Sequence, residues 1–140
     1  MSRVPQVGLI IAVLLLLVGS VGVSAVRRWQ MERLEPFTPM ARQFLERAMA
    51  EDSAALAALA LDDRAVEQAL TFRREHPERL ETALRTMRLD GGVRQADRVM
   101  LVYDTAVPWC AGAAGDTDLQ IQLVRAGNAW RVELAGPGIC

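Results

Sequence analysis

From Val7 to Val26 the chain runs VGLIIAVLLLLVGSVGVSAV, twenty positions with no charge and no polar residue except Ser20 and Ser24. At about 1.5 Å of rise per residue, a helix of this length reaches about 30 Å and crosses a bilayer core. Beyond it the pattern turns amphipathic. Thr38 and Pro39 supply a helix start, with threonine as N-cap and proline in the first turn, and Met40, Phe44, Leu45, Ala48 and Met49 then recur at three- and four-residue spacing. Glu51-Asp52-Ser53 breaks that stripe, and Asp52 or Ser53 caps a short helix carrying Leu56, Leu59 and Ala60. Asp62-Asp63 restarts the pattern with Val66, Ala69, Leu70 and Phe72 facing inward, until Pro77 interrupts it. A last helix carries Leu80, Ala83, Leu84 and Met87 and is expected to stop at Gly91-Gly92.

After those glycines the period changes from helical to extended. Val99-Met100-Leu101-Val102-Tyr103 is a continuous run of strand formers, whereas Leu119, Ile121 and Leu123 alternate with Gln120 and Gln122. Trp130, Val132 and Leu134 alternate with Arg131 and Glu133, and Gly127-Asn128 is a two-residue hairpin turn between the two segments. With that turn at the tip, Leu123 is expected opposite Val132 and Ile121 opposite Leu134, so both apolar faces coincide. The pattern predicts an α+β protein: a transmembrane helix, then helices packed on an antiparallel sheet of at least three strands. The expected division is a tail at 1–6, the membrane segment at 7–26, a juxtamembrane linker at 27–36 and a small domain at 37–140.

Composition narrows the choice of partners. A net charge of −1 gives no long-range attraction for nucleic acid, and the absence of any run of five like charges excludes a polybasic arm or acidic tail. Trp29 beside Arg27 and Arg28 has the make-up of an anchor at the headgroup level, so the membrane itself is the first partner. Two fates of the apolar segment stay open. Arg3, the apolar core and Val23-Ser24-Ala25 have the order of a cleavable signal peptide, while Arg27 and Arg28 just beyond the cut argue for a retained signal anchor. Arg27, Arg28 and Arg33 against Arg3 alone favour a cytoplasmic domain by the positive-inside rule, but the signal-like pattern and the cysteines favour export. The expected location is therefore a cytoplasmic membrane, single-pass, with the C-terminal domain extracytoplasmic.

The two cysteines are Cys110, in the stretch Val107-Pro108-Trp109-Cys110-Ala111-Gly112, and the last residue, Cys140. In an up-down-up meander the ends of the first and third strands lie at one edge of the sheet, which brings the segments bearing both thiols together. A Cys110–Cys140 disulfide is expected in an oxidising compartment; it closes a loop of about 30 residues and adds roughly 3.5 kcal/mol on the chain-entropy model.

Phe44-Leu45-Glu46-Arg47-Ala48 leading into Glu51-Asp52-Ser53-Ala54-Ala55-Leu56, together with the closing Gly127-Asn128-Ala129-Trp130-Arg131-Val132-Glu133-Leu134, resembles the nuclear-transport-factor-2-like, or cystatin-like, superfamily over about Phe37 to Gly136. The resemblance implies helices packed into the concave side of a curved sheet. It also implies functions ranging from small isomerases and dehydratases to catalytically silent binding domains. Several bacterial secretion or transport assembly proteins are similar in joining one membrane helix to such a domain.

Tyr103 and Asp104, at the end of the first clear strand, are the candidate pocket residues, because an inward phenol or carboxylate in such a fold can donate to an oxyanion or accept a proton. Asp97 is a weaker candidate. His76, the only histidine, precedes Pro77 at a helix boundary without an evident partner, and Asp62-Asp63 suits helix capping better than a metal. No phosphate-binding glycine loop, Cys-x-x-Cys, HExxH or nucleophile elbow occurs, and no cofactor or metal is implied. The expected function is a noncatalytic, membrane-anchored extracytoplasmic domain that binds a protein partner or a small apolar ligand. The alternatives are a small cone-fold enzyme using Asp104 or Tyr103, and a scaffold subunit of a membrane assembly.

Overall fold

A computed structural model describes residues 4–109 and 117–138. It is an α+β protein in which five helices precede a four-stranded antiparallel meander: α1 (Val4–Leu34), α2 (Thr38–Met49), α3 (Ser53–Leu59), α4 (Asp63–Glu75), α5 (Pro77–Thr86), β1 (Arg88–Arg94), β2 (Arg98–Asp104), β3 (Asp118–Ala126) and β4 (Ala129–Pro137). Strand order in the sheet is β1-β2-β3-β4.

The N-terminal apolar segment is longer as a helix than its apolar run. α1 spans 31 residues without a break, about 46 Å; its apolar part is exposed, and it is long and apolar enough to cross a membrane. The segment expected as a juxtamembrane linker is helical up to Leu34, followed by a single 3₁₀ turn, Glu35–Phe37. Leu34 is only 2% exposed and belongs to the domain core, as does Phe37. Arg27, Gln30, Met31 and Leu34 keep a helical spacing, so the charges between them do not end the helix. The folded core therefore begins inside α1.

The inward stripes follow the sequence pattern. Phe44, Leu45, Ala48, Leu56, Ala69 and Leu80 are buried with one face of the sheet, formed by Val99, Leu101 and Tyr103 of β2, Leu119, Ile121 and Leu123 of β3, and Val132 of β4. Asp52 and Asp62 cap α3 and α4, their carboxylates accepting from the amides of Ala55 (3.1 Å) and Ala65 (3.0 Å). Thr38 departs from its expected role. The 3₁₀ turn runs directly into α2, so Phe37 holds the cap position and the Thr38 hydroxyl donates to the Glu35 carbonyl at 2.8 Å.

Two further expectations are corrected. The helix expected to stop at Gly91-Gly92 ends at Thr86, and both glycines lie in β1, a fourth strand paired antiparallel with β2. Gly92, at φ 152°, is required there: a Cβ would meet the Met100 carbonyl oxygen at 2.0 Å and Leu34 Cδ1 at 3.1 Å. In the β3–β4 hairpin Leu123 does oppose Val132, but a bulge between Gln122 and Leu123 shifts the remainder, so Ile121 faces Ala135 and Leu134 falls opposite Gln122. Ala135 takes the buried position expected for Leu134.

Both sheet edges are partly covered. Along β1 runs the end of α1, with Leu34 against Gly92, Arg27 paired to Asp90 at 3.5 Å and Arg94 donating to the Arg33 carbonyl at 3.4 Å. Along β4 the α3–α4 connection adds a bridge, Ala60 to Val132, and the Leu61 amide donates to the Val132 carbonyl at 2.8 Å. The Arg131 guanidinium also donates to the Ala58 carbonyl. Each edge is thus partly occupied by a neighbouring segment of the chain, which limits it as a pairing template.

Candidate functional site

β2 alternates its side chains, so Tyr103 points into the helix-covered face and Asp104 to the other side. Tyr103 is 4% exposed and its hydroxyl has no hydrogen-bond partner among the described residues. Burial pushes its pKa from 10.0 up to about 12, opposed by the nearby Arg42 guanidinium and reinforced by the Glu35 carboxylate. The phenol is thus a protonated donor without an acceptor among the described residues.

Asp104 is half-buried and already engaged. Thr117 donates to one carboxylate oxygen at 3.0 Å and Arg88 lies 3.4 Å from the other. Asp97 is exposed in the turn before β2, about 20 Å of strand away from Tyr103, and its backbone carbonyl accepts from the Arg125 amide at 2.8 Å. The three candidates do not converge on one site.

Tyr103 instead lines an open groove of about 580 Å³ with Glu35, Thr38, Arg42, Arg88 and Met31, drawn from α1, the 3₁₀ turn, α2 and β1. Arg42 is held by donating to the Leu84 carbonyl at 2.9 Å, the C-terminal turn of α5. Sequence reasoning named Tyr103 but missed Glu35, Arg42 and Arg88, because only the tertiary fold brings these separate elements together. The space between helices and sheet, where a cone-fold active site would open, is filled by Phe44, Leu80 and the apolar side chains of β2 and β3.

His76 stacks in an aromatic group with Phe72 (ring centroids 5.6 Å) and Trp109 (6.5 Å), a packing role at the α4–α5 junction. Trp130 packs edge-on against Phe37 at 4.9 Å. Trp29 is 55% exposed and lies under the Arg33 guanidinium at 4.7 Å, while Arg28 is exposed and Arg27 reaches Asp90. Cys110 and Cys140 lie outside the described residues. The strands leading to them end together: β3 begins between the ends of β2 and β4, with Asp104 opposite Asp118 and the Gly138 amide donating to the Asp118 carbonyl at 3.0 Å. Among the described residues no group of three or more His, Cys, Asp or Glu side chains gathers as a metal site.

Comparison of the chain with protein-family models, with curated proteins and with solved structures finds no match.

The unpartnered phenol has a measurable signature. Tyr103→Phe removes a buried hydroxyl without a partner and is expected to stabilise the domain by about 1 kcal/mol in denaturant unfolding, where a satisfied hydroxyl would give a loss of similar size. Because the folded pKa lies above the unfolded value of 10.0, the native state holds its proton more tightly. That contribution is complete below pH 10 and is lost as pH rises to about 12, at most about 2 to 3 kcal/mol, and the Tyr103→Phe variant lacks this loss.

Proposed function

We propose that this protein is a noncatalytic, membrane-anchored binding domain held against the bilayer surface by its own transmembrane helix. The observation carrying this is the unbroken α1, whose last residue, Leu34, is buried in the domain core. Leu34 lies eight residues beyond Val26, about 12 Å along the axis, so the domain sits at the headgroup layer without a hinge. The same continuity favours retention of the anchor, since Val23-Ser24-Ala25 lies within regular helix. A catalytic role is disfavoured by the filled interior and by the separation of Asp97, Asp104 and Tyr103.

We place the domain outside a bacterial cytoplasmic membrane and assign it to the nuclear-transport-factor-2-like architecture. Helices before an antiparallel meander support the architecture, and the joint ending of the strands that lead to Cys110 and Cys140 supports export. Thiol labelling of the intact protein in sealed cells tests the side. An impermeant maleimide is expected to label nothing before reduction and both cysteines after it. Free thiols reached only by a permeant reagent contradict export and the disulfide together.

A further inference from the structure

We propose that the groove at the foot of α1 holds one phospholipid whose phosphodiester headgroup carries a primary ammonium. This rests on α1 spanning a membrane, and the groove's shape and charge then specify the occupant.

The shape comes from one helix face. Gly19, Gly22, Val26, Gln30 and Leu34 follow three- and four-residue spacing and, with Met31 beside them, form one wall of a largely apolar cleft of about 620 Å³, whose other wall is Asp90–Gly92 of β1. Met31 also borders the Tyr103 groove, so the two spaces are neighbours on either side of one side chain of α1. Gly19 to Val26 lie at hydrocarbon depth, and Met31 lies about 7 Å beyond Val26, within a headgroup layer. The glycines leave a shallow track along the helix, with nothing within 4 Å of a Cβ built at either. An occupant therefore needs an apolar chain at one end and a polar head at the other, and it enters from the bilayer.

Charge selects the headgroup. Of the charged side chains lining the two spaces, Arg27 is matched by Asp90 and Arg88 by Asp104, which leaves Arg42 and Glu35 without an ion-pair partner among the described residues. Both act on the Tyr103 hydroxyl, a buried donor without an acceptor among the described residues. A phosphodiester oxygen accepts from Tyr103 and Arg42, and an ammonium donates to Glu35. A purely anionic headgroup would meet Glu35 unfavourably, and a quaternary amine has no N–H to donate.

The full chain is reconstituted into nanodiscs of equal parts phosphatidylethanolamine, phosphatidylglycerol and phosphatidylcholine, released into mild detergent and weighed by native mass spectrometry. One retained lipid per chain is expected, with phosphatidylethanolamine enriched at least about fivefold over each of the others, the ratio that about 1 kcal/mol of preference gives. Glu35→Gln is expected to abolish the preference while retention persists. Tyr103→Phe is expected to lower retention at least about fivefold although the domain becomes no less stable. Retention in proportion to the bulk mixture, or enrichment that survives both substitutions, overturns the lipid site while leaving the membrane anchor intact. A chain that stays soluble outside the discs overturns both.

Discussion

Substituting Gly92 by alanine is expected to destabilise the domain by about 3 to 5 kcal/mol, enough to unfold a marginal fold of this size. Two effects add. The residue sits at φ 152°, a conformation that side-chain-bearing residues rarely adopt, and its new Cβ would fall 2.0 Å from the Met100 carbonyl oxygen, which is backbone and cannot move without disturbing β2. On its other side lies Leu34, so any relief by shifting β1 loosens the seat of α1. Gly91→Ala is the internal control, because nothing lies within 4 Å of its Cβ. It is expected to change stability by less than about 1 kcal/mol in the same denaturant titration. Equal losses at the two glycines contradict the positive φ and the tight backbone approach of Gly92 to Met100.

The second large effect belongs to Leu34 itself. Leu34→Ala removes a side chain that is 2% exposed, belongs to the domain core and lies against Gly92 of β1, with an expected cost of about 2 to 5 kcal/mol. The comparison that gives this meaning is Leu17→Ala on the same helix, where the side chain is 56% exposed in the membrane segment. Domain unfolding monitored in nanodiscs is expected to shift markedly for Leu34→Ala and hardly at all for Leu17→Ala. A helix merely tethered to the domain would make the two substitutions alike.

The parts legible in the sequence are those whose signal is local. Twenty uncharged residues announce a long apolar helix, Asp52 and Asp62 announce helix starts, and Gly127-Asn128 fixes a hairpin tip. What was missed depends on tertiary pairing. The stretch Arg88-Leu89-Asp90-Gly91-Gly92-Val93-Arg94 has neither alternation nor a β-branched run, and it becomes a strand because β2 offers an edge and Gly92 tolerates the approach. The bulge at Gln122/Leu123 leaves no mark in the alternation of β3, so the partner of Ile121 was misassigned by one residue. Charges in Arg27–Glu35 imitate a linker, although their helical spacing with Met31 and Leu34 carries the opposite message.

The candidate site shows the same division. Tyr103 could be found because it closes a strand, and its inward side follows from alternation. Its neighbours could not, since Glu35, Arg42 and Arg88 are separated by whole elements and meet only after α1 is docked along β1. The groove is thus a product of how α1 joins the domain, and it would not form on a flexible tether.

Amide hydrogen exchange of the full chain in nanodiscs tests that junction most directly. Residues 27–34 are expected to exchange slowly, with protection rising toward the level of the β2 and β3 core at Leu34. Complete exchange of 27–34 within seconds, beside a protected membrane segment and a protected domain, would contradict a continuous helix built into the fold.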